Sequence, residues 1–201
     1  MLVYSSRLTG TPVLSVQASS QIATITSPII DPDSFKIIAF YIDGPATNNG
    51  TNVLDISSIR EYSNLGIVID DADELVTADD VIKIQDAINL HFNPIGLKVE
   101  SKKGSRLGKV IDFTVTSEDF VIQQIIVKRP TIKSFIDSEL TIHRREIVEI
   151  TDTKIVVKDE EKVIRERAAK EDFVPNFVNP FRTHEPGFAP ADTETPAGKD
   201  N

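Results

Sequence analysis

Apolar and polar residues alternate in short runs over the first 160 residues, and the runs come in two sets. In the first set, residues 13–16, 22–26, 35–42, 53–56 and 66–69 read as strands, with 35–42 the longest. In the second set, residues 97–100, 108–116, 120–129, 139–143, 147–150 and 154–157 read the same way. Turn chemistry separates them: Asp31-Pro32-Asp33-Ser34 in the first set, Lys102-Lys103-Gly104-Ser105 and Thr116-Ser117-Glu118-Asp119 in the second. Between the sets the period changes to that of a helix. Thr77-Ala78-Asp79-Asp80 resembles a capping box, and Val81, Ile84 and Ile88 follow three and four apart. A helix over about residues 78–90, packed on a β unit, is expected.

The two sets are one unit written twice. The run Asp33-Ser34-Phe35-Lys36-Ile37-Ile38 returns as Glu118-Asp119-Phe120-Val121-Ile122-Gln123 at a shift of 85, counting from Phe35 to Phe120. The same shift matches Ile22 with Leu107 and Ile25 with Val110. A repeat of this length is too long for a solenoid and suits two tandem domains. Phe35, Ile37, Phe120 and Ile122 are expected to point into their own cores.

Composition narrows the function classes. Cysteine is absent, which excludes disulfides, thiolate catalysis and thiolate-held metal and suits a reducing compartment. The opening Met1-Leu2-Val3-Tyr4-Ser5-Ser6-Arg7 has no basic region before an apolar run, so no signal peptide is expected. No run approaches the roughly 20 apolar residues that span a bilayer. A cytoplasmic protein without membrane insertion is the expectation. Charge is uneven: residues 1–90 hold 4 basic and 12 acidic residues, and residues 91–170 hold 16 and 13. Residues 171–201 hold 2 basic and 6 acidic ones. The acidic first unit and the mildly basic second are suited to each other or to different partners.

Few residues promise chemistry. The histidines, His91, His143 and His184, are far apart and none stands at a ligand spacing. The acidic run Asp70-Asp71-Ala72-Asp73-Glu74 lacks the glycine and terminal Glu of a calcium loop and reads as a solvated face. Phosphate loops, nucleophile elbows and paired catalytic carboxylates are missing, so no catalytic, cofactor-binding or metal-binding residue is assigned, and no small-molecule substrate is expected. Two features point to binding. Lys102, Lys103, Arg106 and Lys109 form a basic patch on one hairpin of the second unit, without the interleaved aromatics of an RNA surface. Phe173, Phe177 and Phe181 lie in a proline-spaced tail, where they either pack back on the parent domain or serve as a linear motif for a partner groove.

The second unit resembles the PRC-barrel superfamily. Its segment from Gly96 through Leu107-Gly108-Lys109-Val110-Ile111-Asp112 is similar to the family's opening strand, glycine turn and "leucine, glycine, x, valine, x, aspartate" pattern. Leu140-Thr141-Ile142 and Ile147-Val148 resemble its closing element. The first unit keeps the spacing in Pro12-Val13, Ile22-Ala23-Thr24-Ile25 and Leu54-Asp55-Ile56, but Ser19-Ser20-Gln21 replaces the turn and Ala23 stands where Gly108 stands. The resemblance covers residues 4–160. It implies an all-β fold of two tandem small antiparallel β-barrels of PRC-barrel type joined by a short helix; beyond residue 172 the spacing of Pro175, Pro180, Pro186, Pro190 and Pro196 predicts a largely disordered C-terminal tail. The expected boundaries are 1–76 and 93–160 for the barrels, 77–92 for the linker helix, 161–171 for an exit helix and 172–201 for the tail. The family includes the cytoplasmic domain of the photosynthetic reaction-centre H subunit, the C-terminal domain of a ribosome-maturation factor, and stand-alone and tandem bacterial proteins. It therefore implies a non-enzymatic protein-interaction or assembly module that engages a protein partner. The alternative is an RNA-metabolism or ribosome-assembly factor acting through the second, mildly basic barrel.

Overall fold

A computed structural model of the chain describes residues 1–47, 52–130 and 139–159. By its contacts the chain divides into Met1–Ile164 and Arg165–Asn201, and every described residue lies in the first unit. The expected exit helix at 161–171 and the tail with Phe173, Phe177 and Phe181 lie outside the described residues.

The described residues are mainly β and form two seven-stranded sheets. The first holds β2 (Pro12–Ser15), β3 (Ser20–Asp31), β4 (Lys36–Asp43), β5 (Asn52–Asp55), β6 (Glu61–Ser63), β7 (Gly66–Ile69) and β8 (Leu75–Thr77), in the order β6-β7-β2-β3-β4-β5-β8. The second holds β9 (Lys98–Ser101), β10 (Arg106–Thr116), β11 (Ile122–Lys128), β12 (Glu139–His143), β13 (Ile147–Ile150) and β14 (Lys154–Val157). Its order is β13-β14-β9-β10-β11-β12, and β1 (Leu2–Tyr4) runs beside β10. Strand for strand, six members of each sheet follow the same path, as the repeat requires.

Two expectations need correction. The sheets are not wholly antiparallel: β2 pairs β7 in parallel, and β9 pairs β14 in parallel. The longest strand is β3, at 12 residues, rather than 35–42. Pro28 lies inside this strand although proline has no N–H for a ladder. Here Pro28 pairs with Phe40 on one side, while β2 covers only the Ser20–Thr24 part of the other side. A donor lost on that outer side interrupts no ladder with β2. Among the described residues no ladder joins the end strands of either sheet.

Close crossing of strands is handled by a glycine that changes place between the halves. Gly108 has φ +151°, and a Cβ on it would lie 2.0 Å from the Lys128 carbonyl oxygen. In the first half Ala23 fills that position, and the space is supplied by Gly44, where a Cβ would lie 2.7 Å from the Ala23 Cα.

The halves interlock through their matched hairpin turns. Phe35 and Phe120 both adopt a left-handed backbone, at φ +50° and +54°, where a turn ordinarily takes Gly or Asn. This turns each Phe carbonyl toward the other half. The Ile37 N–H donates to the Phe120 carbonyl and the Ile122 N–H to the Phe35 carbonyl, both at 3.1 Å. Arg144 adds donors to the Ser34 and Phe35 carbonyls at 2.7 and 3.2 Å. Phe35, Ile37, Phe120 and Ile122 are all buried, as expected. The Phe120 ring, however, lies edge-on against Phe40 and Tyr62 of the first half, with centroids 5.3 and 6.2 Å away. One apolar core, from Val13, Phe40 and Ile67 to Val99, Phe113 and Ile155, runs through both sheets.

The segments before each half differ. Ahead of the second half, the Thr77–Asp80 capping box forms, but it caps a 3-10 turn at Ala78–Asp80. The α-helix α2 begins at Ile82 and ends at Leu90, with His91 left-handed behind it. Ile84 and Ala87 bury against Ile29, Ile38, Ala39 and Val53 on the outer face of the first sheet. Strand β8 crosses the expected 76/77 boundary to pair with β5. Ahead of the first half, β1 leads to a four-residue helix, α1 (Ser5–Leu8). The motif residue Asp112 accepts from the Ser5 hydroxyl, and from the Ser6 hydroxyl at 2.7 Å. The chain's start is thereby tied to the second sheet.

Candidate functional site

The register of the second sheet aligns four lysines. Lys109 on β10 stands directly opposite Lys98 on β9 and opposite Lys128 on β11. Lys98 in turn pairs in register with Lys154 on β14. The row Lys128-Lys109-Lys98-Lys154 thus crosses four adjacent strands, and Glu139 of β12 stands opposite Lys128 at one end. In-register neighbours project to one face of a sheet. Like charges directly opposite one another are destabilising, so this row opposes folding rather than assisting it.

The row borders an apolar groove of about 630 Å³. Its exposed apolar lining is Ile95, Ile111 and Pro130, with the core residues Val99 and Val110 buried beneath and Gly108 at the strand crossing. Ile95 and Ile111 remain 45% and 39% exposed, large fractions for isoleucines beside a core. Around these stand Lys98, Arg106, Lys109, Lys128 and Arg129, and one acid, Glu100. Glu100 is engaged by Lys154 at 3.5 Å. Among the described residues no carboxylate forms an ion pair with Lys98, Arg106, Lys109 or Lys128. Charge concentrated at a concave apolar face is suited to holding an anion-bearing chain with apolar side chains.

Of the basic residues expected from sequence, the structure brings Arg106 and Lys109 into this groove and leaves Lys102 and Lys103 out of it. Those two sit in the β9–β10 turn, where the Lys102 N–H donates to the Val157 carbonyl and the Lys103 N–H to Asp159. Sequence reasoning missed Lys98, Lys128 and Arg129. Their signal was available only through pairing register, since Lys98, Lys109 and Lys128 are far apart along the chain.

The other candidates are accounted for locally. Asp71 caps the Ala72–Glu74 turn by accepting from the Asp73 N–H, and Asp70 pairs with Arg60. His143 contacts the Gln124 amide at 3.4 Å. Among the described residues no group of three or more His, Asp or Glu is placed to hold a metal. No helix of the described residues is long and apolar enough to cross a membrane. In the β10–β11 turn, Thr116 donates its hydroxyl to Asp119, and this bond holds the Asp119 carboxyl below its usual range. No protein-family model and no curated protein matches the chain.

Proposed function

We propose that this chain is a non-enzymatic protein-interaction or assembly module, built from two halves of PRC-barrel type and acting in the cytoplasm. The observation that carries the reading is the lysine row beside the apolar groove of the second half. A fold that sets like charges side by side gives up stability for a surface, and such a surface is explained by a partner of opposite charge. The paired halves support it: a shared core and interlocked turns give the groove a rigid base. The cations also support a second reading, an RNA-metabolism or ribosome-assembly factor acting through the same half. The aliphatic lining weighs against it, because sequence-tolerant RNA binding relies on aromatic faces for stacking. Affinity capture from native lysate, with the wild-type chain and with a Lys98→Glu/Lys109→Glu variant, tests the proposal. A protein retained by the first and lost from the second is the expected result; identical captures overturn it.

A further inference from the structure

We infer that the partner element is an acidic, extended segment of a protein, carrying aliphatic side chains between its carboxylates, and that it lies across β9, β10 and β11 along the lysine row. This rests on the interaction-module reading above and specifies its ligand. Three observations select this occupant. The row supplies in-register cations on neighbouring strands, a spacing that serial carboxylates along one chain can follow. The groove beside it offers the part-exposed Ile95 and Ile111 and the exposed Pro130, which accept branched apolar side chains and present no aromatic face to a base. The surface is also concave, which suits a single chain better than the flat face of a lipid bilayer.

The equivalent row of the first half shows that the repeat does not demand these charges. There Asp43 pairs with Thr24, and Thr24 with Pro12, so the matching positions carry one acid and no base. The anion-binding character belongs to one half alone.

The test uses the full chain and fluorescence anisotropy with three probes. These are a labelled peptide alternating Glu with Leu, the same peptide with Gln for Glu, and a labelled single-stranded RNA; vesicles of phosphatidylserine and phosphatidylcholine form a parallel sedimentation arm. The Glu peptide should bind, weaken as salt rises, and lose about tenfold or more in affinity when Gln replaces Glu. Lys98→Glu/Lys109→Glu should abolish binding, while Lys83→Glu/Lys102→Glu, an equal charge change outside the groove, should alter affinity less than about twofold. The milder Lys109→Gln, with a melting curve to verify folding, should weaken binding by several-fold. Tighter binding of RNA or of anionic vesicles than of the Glu peptide overturns the inference, as does equal affinity of the groove variant. If the peptide fails but lysate capture still depends on Lys98 and Lys109, the inference falls and the interaction reading stands. If capture also fails to depend on them, both fall.

Discussion

The two halves share a strand path and differ in what they place on it. Position for position, the row Lys128-Lys109-Lys98 of the second sheet is Asp43-Thr24-Pro12 in the first. The glycine that opens the strand crossing is Gly108 in one half and Gly44 in the other. The long strand of the second sheet takes β1 along its edge, while the first sheet carries α2 on its outer face. Backbone pairing and the buried positions are thus held constant, while exposed positions are free to diverge. The comparison teaches that the shared features serve folding, and that a functional surface should be sought where the copies disagree.

The glycine exchange gives the largest expected effect. Gly108→Ala would drive a Cβ into the Lys128 carbonyl, a backbone atom with no freedom to turn away. A loss of more than about 3 kcal/mol in chemical denaturation is expected, at the severe end for a single change. Ala23→Gly, the matching change in the first half, meets no clash and should cost only about 0.5–1 kcal/mol through backbone entropy. Similar losses for the two would show that the halves do not differ at this crossing.

The interlocked turns come next. Phe120→Ala removes a buried ring and its edge-on contacts with Phe40 and Tyr62, and should cost about 3–5 kcal/mol. Phe35→Ala removes a ring equally buried, but with no ring pair among the described residues, and should cost about 1 kcal/mol less. Denaturant melts of the two variants check both the size and the order. A smaller loss at Phe120 than at Phe35 would break the asymmetry.

These turns also show how much of the molecule was legible in the sequence. The repeat, the turns and most strands of both halves were readable, because alternation and turn residues are local signals. Phe35 and Phe120 were recognised as buried but assigned to their own halves. Strand alternation assumes a β backbone at the Phe, whereas the left-handed turn sends its carbonyl to the other half, a choice made by tertiary contact. Strands β1, β6 and β8 were missed because three residues carry almost no periodicity and form only against a ready partner. Half of the hairpin patch reached the groove. The lysine row was invisible because it exists only once four separate strands are in register.

The lysine row itself yields a smaller effect of opposite sign. Lys109→Gln removes the middle charge of the row and should stabilise the fold by about 0.2–1 kcal/mol at low salt. The gain should shrink as salt screens the remaining charges. Thr24→Lys in the first half places a cation opposite Asp43 and should leave stability unchanged or slightly raised. Melting curves at two salt concentrations measure both. A loss of stability in Lys109→Gln would mean that the row is compensated, and would remove the reason for seeking an anionic partner there.

The smallest effect lies in the β10–β11 turn, which carries the interlocking Phe120. Asp119 accepts the Thr116 hydroxyl and, at 3.3 Å, the Val121 N–H. The hydroxyl bond is the main reason its carboxyl titrates below the ordinary value of 3.8. A carboxyl whose folded pKa lies below its unfolded one contributes stability that is complete above the unfolded value and is lost as pH falls through the folded one. The turn should therefore be indifferent to pH near neutrality and weaken only below about pH 4. Thr116→Val deletes the hydroxyl, so the Asp119 pKa should rise toward 3.8 and the acid limb of the stability curve should flatten. Carboxyl-detected NMR titration of wild type and variant measures the shift directly. An unchanged Asp119 pKa in Thr116→Val would show that the hydroxyl does not hold the carboxylate, and that the turn is set by the packing of Phe120 alone.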